Sequence, residues 1–171
     1  MAGIAREAGV AVGTIYNYFR GKDDLLLAIF QAEFEERMRF FEDLQRRGLP
    51  LREQIRQLLS VHFREAREKR ELSQVLLAER FNRDVGFQEA FVTWHRQILR
   101  RIAEIIERGV EEGWVRPCNS RVIALALYGV VEWLAAGWTV YEPSEAENVF
   151  AEAPGELADW IWQGLRGEAR P

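Results

Sequence analysis

The chain has 171 residues, 48% of them hydrophobic and 29% charged. That composition excludes disorder and allows one large or two small domains with a real core. One cysteine, Cys118, excludes an internal disulfide framework and a multi-thiolate metal site. The net charge of −4 and the pI near 5.4 argue, as totals, against a nucleic-acid protein. The distribution points the other way: residues 1–22 carry Arg6, Arg20 and Lys22 against Glu7, a balance of +2 that leaves −6 on the rest. A small basic head on an acidic body suits a modular protein whose head meets phosphates. No basic-then-apolar leader opens the sequence, so the cytoplasm is the expected compartment.

Ala, Leu, Glu, Arg and Lys make up nearly half the chain, and only three Thr are present, so an all-α fold is expected. Taken in order, residues 3–9 read as a short helix closed by Gly9, followed by a tight turn over Val10–Gly13. A second short helix spans about Gly13–Phe19 and stops at Gly21. Asp23 and Asp24 open a long helix to about residue 46, with Leu26, Phe30, Phe34 and Phe41 at helical spacing. Gly48 and Pro50 punctuate. Helices are expected over about Leu51–Lys69, 72–82 and Phe87–Glu112, the last carrying Phe91, Trp94, Ile98, Ile102 and Ile106 on one face.

Residues 122–141 are apolar apart from Glu132. A membrane span is rejected because Glu132 would sit at mid-bilayer and no basic flank supports insertion. A helix buried on every side is the simpler reading, and Ala124, Ala126, Gly129, Ala135, Ala136 and Gly137 permit close helix approach. A final helix is expected from about Pro154 to Leu165. Together the last two helices offer more apolar face than one chain can cover, which points to a homodimer.

Two short helices joined by a Gly-containing turn form a helix-turn-helix candidate, IAREAGVAVGTIYNYFRGKDDLL at residues 4–26. The second helix would lie in the major groove with Val12, Gly13 and Thr14 toward base edges. Tyr16, Asn17 and Tyr18 present polar tips for phosphates, Lys22 follows the helix, and Ile15 and Phe19 face inward. This stretch resembles the DNA-binding signature of the TetR transcription regulators, through its G-V turn, G-T-I-Y core, aromatic-Phe exit and K-D-x-L start of the next helix. The resemblance implies a homodimeric, usually repressing regulator whose body binds a small molecule and dimerises through the last two helices. Position by position, Thr14, Tyr16, Tyr18 and Lys22 match the family's phosphate-contacting places, and Val12, Gly13 and Asn17 match places near base edges. Family members also begin with a helix packed behind this pair. This sequence lacks it, so Ile4, Val10, Ile15 and Phe19 are expected to lose part of their cover. The expected division is residues 1–46 as truncated head and connecting helix and 47–171 as ligand-binding and dimerisation domain.

A second resemblance covers HFREAREKRELSQVLLAERFNRDVGFQEAF and ILRRIAEIIERGVEEGWVRP, which are similar to TetR members that sense long-chain fatty acyl-CoA. It implies an apolar tunnel between the middle helices, lined by Leu59, Phe63, Leu76, Phe81, Phe91, Trp94, Ile98 and Trp133. Arg80, Arg83, Arg96 and Arg100 are candidates for the CoA phosphates. The alternative for each is plain core or a solvated, ion-paired face. No enzyme signature is present: His62 and His95 lack metal-site spacing, no Gly-rich phosphate loop occurs, and Cys118 reads as a loop thiol. No cofactor is expected. Glu132 is the ionisable residue to watch, its pKa raised by burial unless an arginine pairs with it. The competing reading of the whole is a helical ligand-binding or scaffold protein with a degenerate head that leaves DNA unbound.

Overall fold

The computed structural model describes residues 1–79, 82, 84–135 and 141–167. Among these it contains eight helices: α1 (Ala2–Glu7), α2 (Val12–Tyr18), α3 (Lys22–Arg46), α4 (Leu51–Glu68), α5 (Arg70–Glu79), α6 (Val85–Glu111), α7 (Ser120–Ala135) and α8 (Pro143–Leu165). The only β pairing among them is a bridge between Val115 and Arg166, which ties the end of α8 to the α6–α7 turn.

Each long helix buries one stripe and leaves the other face to water. On α4 the buried positions are Ile55, Leu59, Phe63 and Ala66. They pack on Ala146, Phe150, Ala153, Ala158, Ile161 and Leu165 of α8, and α6 adds Ala103 and Ile106 to form the main core. A second core joins α3 to α6 through Leu26, Phe30 and Phe87. Asp84 caps α6, its side chain accepting from the Phe87 amide at 2.8 Å. At Gly109 an added Cβ would lie 2.7 Å from both Leu51 Cδ2 and Val115 Cγ2, so the α6 backbone passes the start of α4 at a distance only glycine allows.

Two elements differ from the sequence expectation. The last helix starts at Pro143 and continues through Pro154. An internal proline removes one helical hydrogen bond at a cost of about 3 kcal/mol. Ala146, Phe150 and Ala153 before the proline and Ala158, Ile161 and Leu165 after it, all buried in the core with α4, offset that cost by burial on both sides. The helix at 122–141 is not buried on every side: Val122, Leu125 and Trp133 point outward, and only Ala124 of its described positions is fully buried. Residues 136–140 lie outside the described residues.

Candidate nucleic-acid interface and effector cavity

The head is pinned by two side chains. Ala5 on α1 and Ile15 on α2 are buried, and Gly9 between them adopts φ +66°, the left-handed conformation that ends α1 and turns the chain. The Val10 amide donates back to the Ala5 carbonyl at 3.0 Å, and the Thr14 amide to the Ala11 carbonyl at 2.9 Å. The turn therefore needs no side-chain cap to set the angle between α1 and α2. Val12, Gly13, Thr14, Tyr16, Asn17 and Tyr18 are all exposed, Tyr18 to 76%. Tyr16 is 53% exposed, and Tyr18 lies tilted against Phe19 with centroids 6.4 Å apart. Nothing lies within 4 Å of a Cβ built at Gly13. Ile15 faces inward as expected and Phe19 is half-buried, whereas Ile4 and Val10 are exposed.

Lys22 is the expected phosphate contact with a partner of its own. Its ammonium lies 3.0 Å from Glu79 at the end of α5. Asn82 donates to both Glu79 and Asp23, at 2.9 and 3.1 Å. This polar ring ties the start of α3 to the end of α5.

Inside the body lie two abutting chambers, of about 150 and 120 Å³. The first is walled by Phe30 and Phe34 of α3, Leu72, Leu76 and Leu77 of α5, and Phe91 and Trp94 of α6. Trp94 stacks between Phe30 and Phe34, with centroids 6.4 and 5.9 Å away. The second chamber is almost entirely apolar, with Phe40, Ile55, Leu59, Ile102, Val131 and Ile161 among its walls. Arg37, His62, Glu65, Ile98, Tyr128 and Glu132 border both chambers.

Most polar groups of that partition are held by one another. Arg37 donates to His62 Nδ1 at 3.2 Å and lies 3.9 Å from Glu132. Because a guanidinium only donates, His62 Nδ1 accepts and its proton sits on Nε2. That Nε2 is buried and has no hydrogen-bond partner. Burial first, and the Arg37 charge second, push the His62 pKa down to about 3, so the ring is neutral. Burial raises the Glu65 pKa against the opposing pull of Arg37 and Lys69. At the outer edge Lys69 bonds Glu33 and Glu36 at 3.1 and 3.0 Å. Burial alone would lower the Lys69 pKa, but these two carboxylates overcome it and raise it.

Five of the expected lining residues meet at the chambers: Leu59 borders the apolar one, Leu76, Phe91 and Trp94 the aromatic one, and Ile98 both. Two do not. Phe63, 1% exposed, is packed edge-on against His62 and Phe150 and belongs to the core between α4 and α8. Trp133 is 72% exposed on the outer face of α7, one residue past Glu132 and therefore rotated away from the cavity. Phe81, Arg80 and Arg83 lie outside the described residues. Arg100 is ion-paired to Glu104 at 3.1 Å on a solvated face, and Arg96 is exposed.

Sequence reasoning missed Phe30, Phe34, Arg37, His62, Glu65 and Tyr128. A signal existed for three partition residues. Arg37, His62 and Glu132 each interrupt an otherwise apolar helix face, and such interruptions on three helices are candidates for one polar cluster. Among the described residues no group of three or more His, Cys, Asp or Glu is placed to hold a metal, and no helix is long and apolar enough to cross a membrane.

A small exposed helix-turn-helix joined by one long helix to a hollow helical body is the architecture of a ligand-responsive DNA-binding protein. Residues 48–139 match the family described as tetracyclin repressor-like, C-terminal domain, and residues 1–29 match the tetR family of bacterial regulatory proteins. The chain belongs to this family of DNA-binding transcriptional regulators. It is 27% identical over 165 residues to an uncharacterized HTH-type transcriptional regulator of Bacillus subtilis, YhgD, covering 95% of this chain and 83% of the relative. It is 26% identical over 141 residues to the fatty acid metabolism regulator protein of B. subtilis, covering 80% and 71%. The fold is shared with the fatty acid degradation regulator FadR of Bacillus halodurans (TM-score 0.83, 21% identity, 98% and 86% covered). It is also shared with FadR of B. subtilis, solved in complex with stearoyl-CoA (TM-score 0.78, 21% identity, 95% and 87% covered).

Proposed function

We propose that the protein is a homodimeric repressor released from a palindromic operator by an apolar effector, for which long-chain fatty acyl-CoA is the best-supported class. The observation that carries this reading is the position of the chambers. They border α3, whose first residue, Lys22, follows the helix-turn-helix directly. An effector that reshapes the wall formed by Phe30, Phe34 and Arg37 acts on the helix that carries the head. It shifts the equilibrium only by its differential affinity for the two arrangements. In the released arrangement the two heads would no longer match successive major-groove turns, roughly 34–36 Å apart.

Val12, Gly13 and Asn17 are assigned to base edges, and Thr14, Tyr16, Tyr18 and Lys22 to phosphates. The division is head and connecting helix at 1–46 and ligand-binding and dimerisation body at 47–171, with α3 as the mechanical link. The dimer face is assigned to Val122, Leu125, Gly129 and Trp133, one exposed stripe of α7, together with exposed Trp160 of α8. A regulator of this kind works beside the chromosome, which places it in the cytoplasm, and no catalytic role is assigned to any residue. The acyl class is supported by the apolar second chamber and by the fatty acid regulators among the relatives.

Titration of a labelled palindrome from the protein's own promoter, at several salt concentrations, tests the DNA arm. Specific binding with a steep salt dependence is expected. Weak, sequence-independent binding would favour a ligand-binding scaffold with a degenerate head, a reading to which exposed Ile4 and Val10 and the Lys22–Glu79 pair lend weight. Mass spectrometry of the purified protein, with release of DNA by added acyl-CoA, tests the effector.

A further inference from the structure

At the partition between the chambers the charged groups Arg37, Glu65 and Glu132 interrupt an apolar path, apart from the Lys69–Glu33 pair at the edge of the aromatic chamber. A guanidinium carries five N–H donors. Arg37 uses one in a well-formed bond, to His62 at 3.2 Å. Its pairing with Glu132 is 3.9 Å long, against roughly 2.7–2.9 Å for a formed charge-assisted bond. Donors therefore remain at the junction, above an apolar chamber and below an aromatic one.

The charge balance limits what can accept from them. Glu132 already neutralises Arg37, and His62 is neutral. Glu65 stands at the same partition, and at the aromatic chamber Glu33 is already engaged by Lys69. A second anion would add a negative charge beside Glu132 and Glu65 at a part-exposed site, where the Arg37 and Glu132 side chains are 30% and 29% accessible and like charges are still costly. A carbonyl oxygen accepts the same hydrogen bonds without adding charge. His62 has a separate part: by accepting from Arg37 it fixes the plane of the guanidinium, so the remaining donors point in a defined direction.

We propose that Arg37 anchors the carbonyl oxygen of a neutral acyl ester or thioester whose chain enters the apolar chamber, and that Glu132 sets the preference for this acceptor over a free carboxylate. The proposal rests on the acyl reading above and adds the atom that is recognised. Because Arg37 is on α3, the contact that selects the ligand also bears on the helix that carries the head.

The test compares three probes that share one chain: stearoyl-CoA, its S-octadecyl thioether analogue lacking the carbonyl, and stearate. Affinities are read by tryptophan fluorescence and by release of operator DNA. The wild-type protein should prefer stearoyl-CoA over the thioether by about tenfold or more, the range of a hydrogen bond to a charged group. Arg37→Met should bring that ratio to within about twofold while leaving thioether binding intact. Glu132→Gln should raise stearate affinity relative to stearoyl-CoA. Equal binding of stearoyl-CoA and thioether by the wild type, or an unchanged ratio in Arg37→Met, overturns the anchor. Should Arg37→Met not fold, Glu132→Gln decides, and an unchanged stearate to stearoyl-CoA ratio overturns the proposal. Failure of all three probes to bind the wild type overturns the acyl reading itself.

Discussion

Replacing Phe63 by alanine separates a core residue from a ligand contact. The side chain is 1% exposed and meets Phe150 edge-on, with centroids 5.5 Å apart at 81°, and His62 at 5.6 Å and 88°. Deleting a buried phenylalanine costs about 3–5 kcal/mol, the transfer of its ring plus the void it leaves. The edge-on pair with Phe150 adds about 0.5–1.5 kcal/mol beyond area and places Phe63→Ala in the upper half of that range. For a chain of this length each kcal/mol lowers Tm by roughly 2–4 °C, so a fall of about 8–20 °C is expected. The assay is urea and thermal unfolding followed by circular dichroism without effector, at one fixed protein concentration because dimerisation is linked to stability. Trp94→Ala is the comparison. Trp94 is half-buried and lines the cavity between Phe30 and Phe34, so its loss should weaken effector binding more than it lowers Tm. A Phe63→Ala protein within about 1 kcal/mol of wild type that has lost effector affinity would refute the assignment of Phe63 to the core.

Further outcomes follow from the same geometry. Gly9→Ala places a side chain at φ +66°, costing about 1–2 kcal/mol in the head; DNA affinity should fall several-fold while the melting of the body, read by the Phe63-region core, stays near wild type. Glu79→Gln releases Lys22 from its 3.0 Å partner and should tighten DNA binding a few-fold, with a salt slope steeper by about one; unchanged binding would show that Lys22 does not reach phosphate. His62 couples stability to pH. Its folded pKa is about 3 against an unfolded 6.5, so between those values the unfolded chain binds the extra proton. Stability is complete above pH 6.5 and falls as pH drops, by about 1.4 kcal/mol per unit; His62→Phe should flatten the slope of urea-measured stability between pH 6.5 and 5. Trp133→Glu should shift the protein toward monomer in sedimentation experiments at micromolar concentration, since it puts a charge in the apolar stripe of α7.

The local fold of the head was legible in the sequence. Its turn depends on local chemistry: glycine at a left-handed position, small residues around it, and two inward side chains, Ala5 and Ile15, within one short stretch. The long helices were legible from apolar period, because a stripe repeating at 3.6 residues is a property of each segment alone. The start of α8 was not. Pro154 reads locally as a helix beginning, and only the burial of Ala146, Phe150 and Ala153 against α4 carries the helix across it. The cavity was half legible. Aromatic residues on α6 were visible as a stripe, but a stripe cannot say which of its members touch a void and which touch another side chain.

The sequence by itself determined the helical class, the order of the helices and the place of the helix-turn-helix, since these follow from period, capping and turn chemistry within short windows. Tertiary structure alone decided that Phe63 is core and Trp133 faces out, because both depend on how α4 and α7 are rotated against their neighbours. It also decided that Arg37 of α3, His62 of α4 and Glu132 of α7 form one cluster. Residues so far apart in the chain share an environment only once three helices are packed, and the charge balance that selects a ligand exists only there.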